Sequence, residues 1–353
     1  MSDTVDTIHS TLLSSISDTY QKTEGYPTYD LTRAFAIEAL ALLTEAQTVE
    51  SKLDVDNLTG DELTRFVSQR KGITRKAATY ATCVLSVTGT GTIATGNLFE
   101  STGNVQFTAT ETKTITTSGT VTVQAVTAGE TGNVGANSIT AIPVTIAGIT
   151  AVTNVNAAVG GYAEETDTAL RKRYYEALQE PATSGNIYHY KQWAKSVSGV
   201  GDAKVFPLWN GDNTVQVVII NSNMGVADSA LIATVQAYID PSISGTGEGQ
   251  APIGAYCTVA SATGLSINIS VTVSLISGYV LADVKTAIEN NVISYLKSIA
   301  FVQNYVSYAK IGNAIIDTEG VSDYSNLLVN SGTANITVGD KAVAILGTVT
   351  VNA

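Results

Sequence analysis

The sequence predicts a multidomain α+β chain: an N-terminal helical segment, a Thr-rich all-β domain, then two tandem α+β modules with mostly antiparallel sheets. Three observations carry that prediction. Apolar residues recur at helical spacing near the N-terminus. Thr/Val alternation broken by glycines fills residues 81–160. A helix, Gly-Val, strand pattern then occurs twice, around Gly199-Val200 and Gly320-Val321. The expected divisions are 1–80, 81–160, 161–262 and 263–353.

Residues 1–80 read as helical. In LTRAFAIEALALLTEAQTVESKL, from Leu31, the residues Phe35, Ala39, Leu42, Ala46, Val49 and Leu53 keep a 4-3-4-3-4 spacing, the seam of a helix packed lengthwise on another. Its first half is apolar almost all round, so burial from two sides is expected. A stripe on one helix does not say whether its partner belongs to the same chain or to another. A second helix follows, with Thr59 as N-cap, Asp61 and Glu62 in its first turn and Gly72 as its stop.

Residues 81–160 hold twenty threonines and only Glu100, Glu111, Lys113 and Glu130 as charges. Short strands and tight turns are expected. Charge-free strand edges invite pairing, so a neighbour in an assembly is expected to cover them.

From Gly161 the pattern is α+β. Helices are expected at 166–180, ended by Pro181, and at about 186–197, capped by Asn186. Strands 203–207 and 214–220 flank Asn210-Gly211, a strong hairpin signal. A helix 229–239 starts at Asp228, with Leu231, Val235 and Tyr238 in register. In SINISVTVSLI (266–276) apolar and polar residues alternate without a miss, giving a strand with one buried face. Helices at 281–299 and near 307–317 and further strands complete the chain. The two Gly-Val corners place glycine where a helix C-terminus needs a left-handed residue, and suggest two related modules.

Composition narrows function. With 44% hydrophobic and 14% charged residues the chain is expected to fold, and its net charge of −12 argues against a nucleic-acid partner. Arg33, Glu38, Glu45 and Glu50 interrupt the longest apolar helix, so no direct membrane insertion is expected. The opening MSDTVDTIHSTLLSS has neither the basic nor the apolar region of a secretory signal. The product is expected to be soluble and to fold in a reducing cytoplasm. Cys83 and Cys257 read as two buried thiols.

Catalytic motifs are scarce. GTGTIATG (89–96) sits among strands and opens no helix, so it reads as turn glycines rather than a phosphate cradle. His9 lies in a polar stretch open to fraying, and His189 lies beside Tyr188, Tyr190 and Trp193 as a packing or surface histidine. Two separated histidines make no metal site, and no cofactor is implied. Glu164, Glu165 and Asp167 are placed as helix-start charges, with Asp167 and Arg171 at i,i+4 spacing. Leu170, Tyr174, Ala177 and Leu178 form the stripe expected to be buried. A basic group, Arg70-Lys71 with Arg75-Lys76, reads as a solvated corner or as a contact for an acidic neighbour.

The order of features between 160 and 207 is more specific. Gly160-Gly161, Glu165-Thr166-Asp167-x-x-Leu170-Arg171-x-Arg173, Pro181, Gly185-Asn186, Tyr190-x-x-Trp193-Ala194, Gly199-Val200, Lys204-Val205 and Pro207 together resemble the baseplate J-like family. Gly72-Ile73-x-Arg75 and Gly129-x-x-Gly132-Asn133-Val134 agree, so the resemblance spans nearly the whole chain. It implies a non-enzymatic wedge subunit of contractile-tail phages and related tail-like particles. Such a subunit assembles in the host cytoplasm with copies of itself, a smaller wedge protein, and the sheath-initiator and hub or spike proteins. In the family an N-terminal helical part bundles with neighbouring chains, C-terminal modules pair subunits, and wedges join in a six-fold ring. Two rivals remain: a receptor- or glycan-binding tail protein, suggested by the Thr-rich domain, and a wall-degrading tail enzyme, suggested only by the acidic trio. The glycan reading needs an aromatic platform, for which 81–160 offers only Phe99 and Phe107.

Overall fold

The computed structural model describes residues 4–180 and 182–353, so the predicted signature residue Pro181 lies outside the described residues. The chain forms two compact units. One takes the chain through Thr74 together with Thr166–Tyr175, and the other takes Arg75–Glu165 and Glu176–Ala353.

In the first unit, α1 (Val5–Ser14) packs on α2 (Pro27–Ser51), and a 3₁₀ turn at Val55–Asn57 leads into α3 (Gly60–Lys71). Pro27 opens α2 at a position whose N–H would have no helical partner. Gly72 ends α3 in the left-handed conformation, as expected. His9 departs from the fraying expectation. It is 4% exposed, its Nε2 meets the Tyr29 carbonyl oxygen and Thr32 Oγ1 at 3.2 and 3.0 Å, and its ring sits edge-on to Tyr29. It therefore pins α1 to α2.

The second unit starts with eight strands: β1 (Thr82–Gly89), β2 (Gly91–Ile93), β3 (Leu98–Ser101), β4 (Gln106–Ala109), β5 (Lys113–Ile115), β6 (Ser118–Ala125), β7 (Ile139–Ala141) and β8 (Ile149–Asn154). Six of them make one antiparallel sheet in the order β7-β3-β4-β6-β1-β8, and β2 pairs with β5. Alternate side chains point inward, so Leu85, Phe99, Phe107, Val121, Val123 and Ile139 fill the interior, all fully buried. The sheet nearly closes on itself. Asn154, 0% exposed, spans the gap: its Oδ1 accepts from Ile139 N at 2.8 Å, and its Nδ2 donates to Gly135 O and Asn156 O. Near-closure protects the charge-free edges from within the chain, so their lack of charge does not by itself require the neighbour expected from sequence.

Next come α4 (Asp167–Gln179), α5 (Ile187–Ser196), β9 (Val200–Pro207), β10 (Thr214–Asn221), α6 (Ser229–Ile239) and β11 (Tyr256–Ser261). The hairpin forms as predicted, Val215 opposite Pro207, and β11 joins β10 in parallel. Asp228 caps α6, accepting from Leu231 N at 2.8 Å. The buried register of α6 is Leu231, Val235 and Ile239, whereas Tyr238 is 39% exposed. The i,i+4 steps follow the core here, and the i+3 choice fails.

The last section is β12 (Thr263–Leu275), α7 (Leu281–Ile299), β13 (Tyr305–Val306), α8 (Tyr308–Ile316), β14 (Val321–Val329), β15 (Ile336–Thr337) and β16 (Ala342–Asn352). Ile267, Ile269, Val271 and Val273 of β12 are buried against Val284, Ile288, Val292 and Leu296 of α7, a two-residue period meeting a four-residue one. Burial of each such side chain stabilises by roughly 1.5–3 kcal/mol. The sheet order is β14-β12-β16, with β16 parallel to β12. Antiparallel pairs are the majority, as predicted, but each module also carries one parallel pair. Between the modules, Val218, Ile220, Ala262, Ala300 and Val343 form a shared apolar cluster. Lys341 stacks over Phe206 and Trp209 and donates to Gln216 Oε1 at 2.6 Å.

Candidate interaction surface and the signature segment

The α2 stripe is the most exposed apolar feature of the first unit. Phe35 and Leu42 are each 68% exposed, Val49 59% and Leu53, just past the helix end, 76%. Only Ala36 is buried among the residues of α2. Burial from two sides is therefore not met within the chain: α1 covers one side, and the seam predicted from spacing points away from this chain's core. A 25-residue helix spans about 37 Å. The apolar stripe occupies the solvent-exposed side of this helix.

The basic group is divided between the two units. Arg70 lies over the Phe66 ring at 5.4 Å, and Lys71 is exposed at the end of α3. In the second unit, Arg75 donates to Glu165 O at 2.6 Å and Lys76 Nζ donates to Val200 O at 2.7 Å. Both side chains therefore bond carbonyl oxygens of their own chain.

The carboxylate trio resolves into separate structural tasks. Glu165 pairs along its backbone with Lys76, and its Oε2 accepts from Lys76 N at 3.1 Å. Asp167 Oδ2 accepts from Gly60 N at 3.0 Å, capping α3 where the side chain of Thr59 makes no capping bond. Glu164 is exposed. Arg171 donates to Val55 O and Leu58 O at 3.2 and 2.8 Å and faces Asp56 at 3.4 Å. Leu170 and Tyr174 are buried with Val55, Leu58, Leu63 and Val67, whereas Leu178, predicted buried, is 47% exposed.

The rest of the signature is similarly structural. Gly160 and Gly161 lie against the barrel: Thr79 Oγ1 donates to Gly160 O at 2.6 Å, and Asn133 bonds both backbone groups of Gly161. Asn186 caps α5 by accepting from His189 N at 2.9 Å. The His189 ring stacks on Trp193 at 4.0 Å and accepts from Gly185 N, and burial lowers its pKa. Tyr190 is 2% exposed and packs edge-on to Trp193. Gly199 and Gly320 both hold φ near +90°, at 90° and 93°, just before the buried Val200 and Val321. A Cβ on Gly199 would meet the Tyr162 ring at 2.5 Å, and one on Gly320 the Tyr279 ring at 2.6 Å. The two predicted corners are thus alike down to the aromatic ring on the glycine.

One group was missed by sequence reasoning. Lys195, 4% exposed, forms ion pairs with Glu176 and, at 3.3 Å, with Asp202, joining α4, α5 and β9. Lys191 pairs with Glu180 beside it. Burial alone would lower the Lys191 ammonium, but Asp202, Glu176 and Glu180 hold it above its ordinary range. The only available signal was i,i+4 spacing of Lys191 and Lys195 on a helix otherwise read as aromatic packing. An open cleft of about 360 Å³ borders this group, and its ammonium groups are committed too, Lys191 to Glu180 and Lys204 to the Phe301 ring. Phe99 and Phe107 lie in the barrel core, so they give no aromatic platform for a glycan. Among the described residues no cluster of His, Cys, Asp and Glu has metal-site geometry, and no helix is long and apolar enough to cross a membrane.

The described residues thus hold a nearly closed barrel, two mixed-sheet modules and a helix with an exposed apolar face. Three family models match in order: the baseplate J-like protein barrel domain over 82–161, the baseplate J-like central domain over 182–261 and the baseplate J-like protein C-terminal domain over 267–352. The phage-like element PBSX protein XkdT of Bacillus subtilis (strain 168) is 35% identical over 98% of this chain and 97% of its own length. Baseplate protein gp47 of Escherichia phage Mu is 31% identical over 72% of each chain. A chain of the anti-feeding prophage baseplate, solved by cryo-electron microscopy, aligns with TM-score 0.39 and 12% identity, covering 97% of this chain and 89% of that one. The chain belongs to the baseplate J-like family, and its role is that of a structural protein in a phage-type tail baseplate.

Proposed function

We propose that the chain is a wedge subunit: it joins copies of itself and a smaller wedge protein into a six-fold ring around the hub and changes neighbours when the sheath contracts. In this reading residues 1–80 supply the helix bundle and 81–160 a rigid spacer, while 161–262 and 263–353 form the ring. Subunits assemble in the bacterial host cytoplasm, contact the sheath-initiator and hub or spike proteins, and carry no catalytic activity. The particle is a phage tail or a headless tail-like bacteriocin. The observation that carries the reading is the outward stripe of Phe35, Leu42, Val49 and Leu53 on a helix that its own chain covers on one side only. Helices with such a seam complete their burial on other helices. Rearrangement on contraction requires interfaces with two arrangements of similar free energy, which suits a helix seam better than a buried core.

The test is Leu42→Glu with Val49→Glu in a strain producing the particle. Both sites are exposed, so the isolated chain keeps its melting temperature. Assembled baseplates fall at least about tenfold, the effect of ~1.4 kcal/mol at one interface. Normal yields of intact, contractile particles would remove the bundle from the proposal.

A further inference from the structure

The hairpin tip between β9 and β10 carries a reactive pair that has no part in the proposed assembly. Asn210-Gly211 is the only Asn-Gly pair of the sequence, and every residue from Pro207 to Asn213 is exposed. The backbone of the tip is held through Thr214. Its Oγ1 accepts from Asn210 N at 3.0 Å and donates to Gly211 O at 2.7 Å, and its carbonyl oxygen accepts from Leu208 N at 2.7 Å. The Asn210 side-chain amide, by contrast, makes no hydrogen bond among the described residues. Gly211 holds φ 96°, and a Cβ placed on it would meet nothing within 4 Å, so the backbone beside that amide is open to close approach.

Other asparagines followed by a small residue are held or shielded. Asn221, before Ser222, accepts from Asn223 N and Gly225 N and donates to Val226 O. Asn330, before Ser331, accepts from Asn268 N and donates to Ser266 O. Asn137 is exposed and its side-chain amide also makes no bond among the described residues, but the residue after it is Ser138, whose Cβ stands beside the nitrogen that would attack.

We propose that Asn210 is a modification site, converted without an enzyme to aspartate and isoaspartate in the folded chain. The Gly211 nitrogen gives up its proton to solvent and bonds to Asn210 Cγ. The Cγ–Nδ2 bond breaks, and Nδ2 leaves as ammonia, leaving a five-membered succinimide. Water then opens that ring. Opening at Cγ gives aspartate, and opening at the Asn210 carbonyl carbon gives isoaspartate, so one water is consumed and one ammonia released with no redox change. Both products place a carboxylate next to Trp209, whose ring lies under Lys341 Nζ at 5.6 Å, where the first module meets the second. Isoaspartate also lengthens the backbone between Asn210 N and Gly211 O, the two groups that Thr214 Oγ1 bridges.

The test incubates the full chain at mildly alkaline pH and locates the conversion by tandem mass spectrometry, with isoaspartyl methyltransferase labelling as a second readout. The expected result is conversion at Asn210 ahead of every other asparagine, faster as pH rises because the attacking nitrogen must lose its proton. Gly211→Ala should slow it several-fold, although a side chain at that φ is strained. Asn210→Gln should abolish both products with an unchanged melting temperature, since the longer side chain disfavours closure. The same chain unfolded in urea supplies the reference rate, and the folded chain should convert within a few-fold of it. Conversion confined to the unfolded chain, or no faster at Asn210 than at Asn137, would overturn the proposal.

Discussion

Lys195 gives the clearest case of a residue whose role lies in its surroundings. Lys195 is 4% exposed and its ammonium pairs with Glu176 and Asp202, so removing it deprives two largely buried carboxylates of this cation. Lys195→Met should therefore destabilise the chain by about 3–5 kcal/mol, read as a lowered chemical-denaturation midpoint. Adding Glu176→Gln should recover part of that loss, because one carboxylate charge disappears with the ammonium. An unchanged midpoint for the single variant would mean that the pair contributes nothing to holding α4, α5 and β9 together. None of this was legible in the sequence. A lysine four residues after another on a helix reads as a solvated face, and only the fold brings β9 and the end of α4 to it. Asn154 is similar: an asparagine at a strand end signals a turn, whereas here it closes the barrel.

At the scale of elements, the paired corners make a quantitative prediction. Gly199→Ala and Gly320→Ala both force a Cβ toward a tyrosine ring at a left-handed φ, costing about 1–2 kcal/mol for the backbone and about 1–3 kcal/mol for the overlap. The two should differ. Tyr162 is 6% exposed and its hydroxyl is fixed by Asp228 at 2.6 Å, so the ring is unable to move aside. Tyr279 is 39% exposed and its hydroxyl bonds the exposed Glu319, so the ring has room, and the Val284 methyl at 2.9 Å from the added Cβ is the remaining overlap. Thermal melts should rank Gly199→Ala below Gly320→Ala, and equal melting temperatures would mean that ring mobility does not set the cost. Elements with strong local signals were legible. The period-two run of β12, the Asn210-Gly211 hairpin and the caps at Asn186 and Asp228 all stand where spacing and capping chemistry put them. Parallel pairings were not, since β11 and β16 reach their partners across intervening elements and nothing in their own residues names the neighbour. Tyr238 and Leu178 failed for a related reason: on a helix the buried face is chosen by what packs there, and two candidate residues one step apart look equivalent in sequence.

The whole molecule combines parts that satisfy their own edges with a helix that does not. Barrel and modules satisfy most of their own edges, through Asn154, through Gln236 and Asp240, and through the apolar cluster that the modules share. The apolar stripe of α2 does the opposite, and its spacing was readable from residues 35–53, although which chain it faced was not. The signature from Gly160 to Val200, chemically the busiest stretch of the chain, is occupied by caps, carbonyl ligation and aromatic packing. The central claim is that α2 completes its burial on other chains in a ring. An electron-microscopy map of an assembled tail containing this chain tests it most directly. The expected result is six-fold density in which side chains of a neighbouring chain cover Phe35, Leu42 and Val49. A map in which α2 stands in solvent, or in which the chain lies outside the ring, would contradict it.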